Sequence, residues 1–106
     1  MNAWVTQLRK GLVEYCVLKV LATGESYGYE IIQRLQTVDA LAITECTVYP
    51  ILTRLRNEDY LSVRAENSPN GPPRRYYKLT TLGRHRLSEM NVYWDDLSYA
   101  IRKLGT

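Results

Sequence analysis

The 106-residue chain has one histidine and two cysteines, which leaves little material for metal binding or nucleophilic catalysis. Cys16 and Cys46 sit alone in apolar periodic segments, without the close spacing of metal ligands or a redox pair. Both read as small buried hydrophobes rather than reactive thiols. His85 lies between Arg84 and Arg86 on an exposed-looking helical turn. No Ser/His/Asp or Cys/His set can be assembled around it, and no phosphate loop is present. The pair Asp95-Asp96 falls on the polar side of the last predicted helix and reads as solvated. The reading is therefore of a chain without catalytic residues, metal or cofactor. Long apolar runs are also missing. The most apolar stretch, residues 12–22, is interrupted by Glu14 and Lys19 and is too short to cross a bilayer. No signal peptide, internal repeat or low-complexity tract is visible, so the expectation is a cytoplasmic protein with no membrane partner.

What is present fits one soluble domain, with 45% hydrophobic and 24% charged residues. A domain of this size buries a modest core, so support from a partner subunit is in keeping with it. The net charge of +3 is unevenly placed. Residues 1–53 hold four basic and five acidic side chains, whereas residues 54–86 hold eight basic and three acidic ones, a net of +5. A basic block inside a structured region is either a solvated face or a surface for a polyanion, and charge alone does not choose between them.

Periodicity supplies the elements. Residues 5–22 read as one helix whose second half is apolar around most of its circumference, with Gly24 suited to the left-handed cap that ends it. Ser26 can cap a short second helix to about residue 36, with Ile31, Ile32 and Leu35 inward. Residues 37–43 form a connector. A third helix spans about residues 44–58, with Val48, Ile51, Leu52 and Leu55 at the i, i+3, i+4, i+7 positions. Pro50 leaves two options for it: a start near Cys46 or Thr47, or a start at Thr44 with a bend at the proline. The period then changes to two. Leu61, Val63 and Ala65 alternate with polar neighbours, and residues 74–79 form a second strand after an Asn70-Gly71 turn signal. Thr80 can cap a last helix to about residue 104. The fold class is mainly α, of α+β type. It is a winged helix-turn-helix over residues 1–80, with the third helix as recognition helix and the hairpin as wing, followed by a C-terminal dimerisation helix over residues 81–106.

On that architecture the candidate DNA-contacting residues are Thr44, Glu45, Thr47, Val48, Tyr49 and Arg54 on the third helix, and Asn70, Gly71, Arg74, Arg75 and Tyr76 on the wing. The start of the third helix combines short polar side chains with an apolar contact surface, and helix N-termini bind phosphate. Tyr49 is read either as a phosphate or sugar contact or as a core aromatic. Arg54 is read either as reaching DNA or as a surface ion pair with Glu58. Asn70 and Gly71 shape the turn. Glu45 favours the helix dipole or accepts from a cytosine amine. Along the last helix, Leu87, Met90, Trp94, Leu97, Ile101 and Leu104 are spaced 3, 4, 3, 4, 3, the narrow seam with which one helix meets another. This predicts a homodimer. Trp94 on that seam reads as plain packing at the dimer interface.

Three runs in order carry a family resemblance: 28-GYEI-31, 47-TVYPILTRL-55 and 71-GPPRRYYKLT-80 with Gly83-Arg84. The chain resembles the PadR family of transcriptional regulators over about residues 8–104, and with its single C-terminal helix it is similar to the short members. The resemblance implies a transcriptional regulator that binds double-stranded DNA as a homodimer. A pseudo-palindromic operator is expected of such a pair, and the little surface left for contacting polymerase reads as a repressor. The resemblance also implies a cavity at the dimer seam for a small hydrophobic or aromatic effector, with Trp94 as one wall and Leu8 and Trp4 of the first helix as neighbours. Tyr27 stands where a histidine is common, and Pro72 where an arginine is common, which removes one positive charge from the wing tip. A protein-interaction adaptor is the alternative class, and the basic wing argues against it.

Overall fold

The computed structural model describes residues 3–38 and 43–106. Its elements run α1 (Ala3–Arg9), α2 (Val13–Leu21), β1 (Ser26–Tyr27), α3 (Gly28–Gln36), α4 (Glu45–Asn57), β2 (Leu61–Ser68), β3 (Gly71–Leu79) and α5 (Thr81–Leu104). The single first helix expected from the sequence is thus two. The backbone tightens into a turn across the break, with Lys10 N–H donating to the Gln7 carbonyl at 3.3 Å and Leu12 N–H to that of Arg9 at 2.8 Å. Gly11 sits in this turn, where its backbone freedom weakens a continuous helix by about 1 kcal/mol relative to alanine. α2 buries Val13, Val17, Leu18 and Leu21. Arg34 reaches back from α3 to donate to the Val20 carbonyl at 3.2 Å and so satisfies one of the open carbonyls at the end of α2. Gly24 follows with φ +140°, a region that glycine enters without a side-chain penalty. The Cys16 thiol is half-buried beside this core, and burial pushes its pKa up, which keeps it protonated.

Ser26 does not cap α3. It is buried and pairs with Tyr77 in a two-residue strand. The helix starts one residue later, where Tyr27 N–H donates to the Glu30 carboxylate at 3.1 Å, one half of a capping box. Ile31, Ile32 and Leu35 face inward as expected. Of the connector at 37–43, residues 39–42 lie outside the described residues. Beyond them Ile43 is buried, and its carbonyl accepts from the Gln36 amide at 3.3 Å.

The two options for α4 resolve in favour of the early start. Thr44 is the extended N-cap residue, Glu45 opens the helix, and Pro50 lies inside it. The cost is the missing N–H to the Cys46 carbonyl. Cys46 and Pro50 are both exposed, so water can serve that carbonyl. The exposure of Cys46 overturns the expectation that it is a core residue. α4 closes in a Schellman motif: Asp59 takes φ 66°, Tyr60 N–H reaches the Leu55 carbonyl at 2.9 Å, and Asp59 N–H reaches that of Arg56 at 3.0 Å.

β2 and β3 form an antiparallel hairpin, and β1 adds to the other edge of β3, giving the order β1-β3-β2. Leu61 pairs with Leu79 and Val63 with Tyr77, so the apolar alternants share the core face. The strands run further toward the tip than the alternation suggested. Ser68 pairs with Gly71 across a turn centred on Pro69 and Asn70, rather than on Asn70 and Gly71. Proline second and glycine fourth is the ordinary residue preference of a type I turn. Pro72 and Pro73 stand opposite the register irregularity between Glu66 and Ser68, where lost donors cost least.

Thr80 caps α5, its hydroxyl accepting from Gly83 N–H at 2.9 Å and donating to the Asp59 carbonyl at 2.6 Å. One core joins α2, α3, α4, the sheet and the first turns of α5. Leu87 belongs to it. After Met90 the apolar side chains of α5 are exposed, from 37% at Leu97 to 86% at Leu104, with Trp94 meeting the Tyr15 ring at 6.3 Å between centroids. Among the described residues no helix is long and apolar enough to cross a membrane.

Candidate nucleic-acid interface

α3 and α4 pack on α2 with their inward faces, which leaves the N-terminal half of α4 turned outward beside the hairpin. Thr44, Glu45 and Thr47 are exposed there. Glu45 lies in the first turn, where a carboxylate complements the helix dipole. Val48 does not join them: it is 0% exposed, because the inward stripe of α4 begins with it and continues through Leu52 and Leu55. The sequence expectation that Val48 meets DNA is corrected accordingly. Tyr49 is partly exposed and lies across the start of α3, so close that a Cβ on Gly28 would come within 3.0 Å of its ring. Partial burial, with Glu45 as a smaller contributor, pushes the Tyr49 phenol up, so it remains a hydrogen-bond donor at neutral pH.

The tip and outer half of the wing carry Asn70, Gly71, Arg74 and Arg75, all exposed. Tyr76 is half-buried and meets the Tyr27 ring edge-on, 5.6 Å between centroids. Between wing, α3 and α4 lies an open cleft of about 580 Å³, walled by Tyr27, Tyr29, Tyr49, Thr53, Arg74 and Arg75 among others. It brings together Tyr49 of the helix and the two wing arginines, as the sequence reading grouped them. Tyr27, Tyr29 and Thr53 were missed as wall residues. Tyr29 and Thr53 stand on the outer sides of α3 and α4, a signal available from helical spacing. Tyr27 reaches the wing only through β1, which is too short to announce itself.

The basic block divides into two kinds of residue. Arg54 donates to Glu14 at 2.5 Å and to Glu58 at 3.2 Å, Arg64 is bound to Glu25 and Glu66, and Arg86 lies 3.8 Å from Glu14 and donates to the Tyr60 hydroxyl. Their charge is compensated within the chain. Arg54 therefore holds α4 against α2 and is not a free cation on the recognition face, which favours the ion-pair side of its sequence reading. Among the described residues Arg56, Arg74, Arg75, Lys78 and Arg84 pair with no carboxylate. Arg74 instead lies 4.7 Å from the centroid of Tyr27. Of these cations, Arg74 and Arg75 line the cleft with Tyr49 of α4, and exposed cations at an aromatic-walled cleft suit a polyanion with grooves.

The second surface is on the opposite helices. A largely apolar groove of about 580 Å³ runs between the α1–α2 turn and α5, lined by Leu8, Leu12, Tyr15, Met90, Trp94 and Leu97 with Arg86 and Glu89 at its side. It brings Leu8 and Trp94 together, while Trp4 is not part of its wall. Trp94 is 41% exposed and Leu97, Ile101 and Leu104 are exposed too. Leu87 is the exception on the expected seam, since it is buried in its own protomer's core and has no surface left for a partner. No three His, Cys, Asp or Glu side chains among the described residues are grouped to hold a metal ion.

Two outward helices on a third, followed by a twisted hairpin flanking the second of them, define a winged helix-turn-helix. The profile of the transcriptional regulator PadR-like family matches residues 17–89. The chain belongs to that family. It is similar to a PadR-like transcription factor from Bacteroides fragilis, at 40% identity over 97% of this chain and 99% of that one, with a TM-score of 0.80. A Streptococcus transcriptional regulator is 37% identical over 95% of this chain and 99% of that one, with a TM-score of 0.83. Bacillus subtilis PadR, solved in complex with operator DNA, shares the fold at 24% identity and a TM-score of 0.69, over 76% of this chain and 47% of that one.

Proposed function

We propose that this PadR-family regulator is a cytoplasmic repressor that binds double-stranded DNA as a homodimer. The observation that carries the reading is the co-location of the unpaired wing cations with the outward start of α4. Thr44, Glu45, Thr47 and Tyr49 would enter the major groove, where short polar side chains and a phenol can read base edges or phosphates. Arg74 and Arg75, carried past Asn70 and Gly71 at the tip, would meet the backbone or the adjacent minor groove. Bacillus subtilis PadR in complex with operator DNA supports the mode by its shared fold. Residues 1–80 form the DNA-binding unit in this reading and residues 81–106 the dimerisation helix, with the partner covering Met90, Trp94, Leu97, Ile101 and Leu104. A two-fold dimer implies a pseudo-palindromic operator with half-sites about one helical turn apart. The work is binding, and no catalytic step is part of it.

The groove between the α1–α2 turn and α5 is where a small hydrophobic or aromatic effector would bind, with Trp94 and Leu8 on its walls. Its position against the dimer helix offers a route by which an effector alters the spacing of two recognition helices. An electrophoretic shift with mixed genomic DNA at low and high salt tests the central reading. Binding that weakens steeply with salt is expected, and an absence of binding at every salt concentration would overturn it.

A further inference from the structure

The outer face of the wing carries a connected stack that the DNA-binding reading has not used. Register puts Arg64 opposite Tyr76, Glu66 opposite Arg74 and Tyr27 opposite Tyr76, so these side chains share the sheet face away from the core. The Arg64 guanidinium lies 4.5 Å from the Tyr76 centroid. Tyr76 meets Tyr27 edge-on at 5.6 Å, and Arg74 covers Tyr27 at 4.7 Å. The order is thus cation, ring, ring, cation. One end of it is anchored. Arg64 Nε donates to both Glu25 oxygens at 3.1 and 3.0 Å, its Nη2 donates to Glu25 at 2.6 Å, and its Nη1 donates to Glu66 at 2.6 Å. A planar fork held by two carboxylates and lying over a ring has little freedom left, and a lysine cannot reproduce it. Glu25 precedes β1 and α3, whereas Arg64 and Tyr76 belong to the hairpin, so the stack ties the wing to the helix-turn-helix.

We propose that Arg64 is a positioning residue for the wing. With Glu25 it fixes the Tyr76–Tyr27 pair, which in turn holds Arg74 at the angle from which it meets DNA, and Arg64 itself touches no phosphate. The inference rests on the DNA-binding reading above and adds to it a division between cations that contact the nucleic acid and one that aims them. Arg64 belongs to the basic block by composition, yet its charge is answered inside the chain.

The two roles differ in salt dependence. A cation on a phosphate contributes about −0.9 to the slope of log K against log salt concentration, and a positioning residue contributes only through the cation it aims. The test measures equilibrium binding of a mixed-sequence DNA duplex across a salt series, with the full chain carrying Arg64→Lys, or Arg64→Gln together with Glu25→Gln. Both changes leave the net charge as it is. Each is expected to weaken binding by about 3- to 10-fold and to flatten the slope by no more than about 0.9, the share of the one cation, Arg74, that Arg64 aims. Adding Arg74→Ala to the double variant is expected to cost less than Arg74→Ala alone, because Arg74 has already lost its aim. Wild-type affinity in Arg64→Lys overturns the proposal, and so does a slope that Arg64→Gln with Glu25→Gln flattens by about 0.9 more when Arg74→Ala is already present, since a positioning residue then has nothing left to aim. Should that variant fail to fold, Arg64→Lys alone decides. A wild-type chain that does not bind the duplex contradicts the DNA-binding reading instead, so the two failures are separable.

Discussion

Gly83→Ala is the substitution whose consequence can be worked furthest from the geometry. Gly83 is buried in the first turn of α5, under the chain that leads from α4 into β2. A Cβ there would fall inside the van der Waals shell of the Tyr60 carbonyl oxygen, 3.1 Å from its carbon and 3.4 Å from Leu79 Cδ2. The obstruction is backbone, so no side chain can rotate away. The start of α5 would have to withdraw by about 1 Å, a scale at which packed interiors respond with overpacking costs of about 1–3 kcal/mol. That withdrawal also loosens a linked set of bonds: Thr80 N–H to the Tyr60 carbonyl at 3.2 Å, Gly83 N–H to the Thr80 hydroxyl at 2.9 Å, and that hydroxyl to the Asp59 carbonyl at 2.6 Å. Losing the cap costs about 1 kcal/mol, and alanine's better helix propensity returns about the same amount. The net loss is about 2–4 kcal/mol once the remaining hydrogen bonds are included. For a domain near 100 residues this lowers Tm by about 10–20 °C, read by circular dichroism at one fixed protein concentration. A Tm equal to that of the wild type, or above it, would refute the close approach and with it the way α5 is set on the winged helix.

Arg54→Ala is expected to cost stability and leave the salt slope of DNA binding unchanged, since Arg54 is engaged by Glu14 and Glu58. Because the guanidinium is half exposed, solvent screening holds the loss to about 1 kcal/mol by thermal melting, and a flattened slope would return Arg54 to the DNA face. Arg74→Ala with Arg75→Ala should weaken binding across sequences and flatten the slope by about 1–2 units, and an unchanged slope would put the wing away from the backbone. Trp94→Ala should shift the monomer–dimer equilibrium toward monomer in sedimentation. It should also abolish binding of planar aromatic compounds that quench wild-type tryptophan fluorescence, and the absence of quenching by any such compound removes the main support for an effector groove.

The elements that sequence patterning revealed are those whose signals are local. The switch of period from helix to strand at Leu61, the Thr80 cap and the 3-4 spacing of α5 all lie within one or two turns of chain. What patterning missed depends on distant partners or on ambiguous apolar runs. Gly11 breaks a helix that the apolar stripe carries straight through. β1 is two residues long and exists because β3 offers Tyr76 and Tyr77 a free edge. Val48 and Tyr49 are adjacent and both apolar enough to face either way, and only the packing against α2 and α3 sorts them. The charge block was legible as a block, but not its division. Arg54 finds Glu14, and Arg64 finds Glu25, across about forty residues of chain, a pairing that helical spacing cannot forecast.

The central claim is that one face, made of the outward start of α4 and the wing, holds DNA while α5 stays clear of it. Amide chemical-shift mapping of the labelled chain on addition of a DNA duplex tests this most directly. The account predicts perturbations concentrated at Thr44, Glu45, Thr47, Tyr49, Arg74, Arg75 and Tyr76, with Ile101 and Leu104 unmoved. Perturbations centred on α5, or none anywhere at low salt, would contradict it.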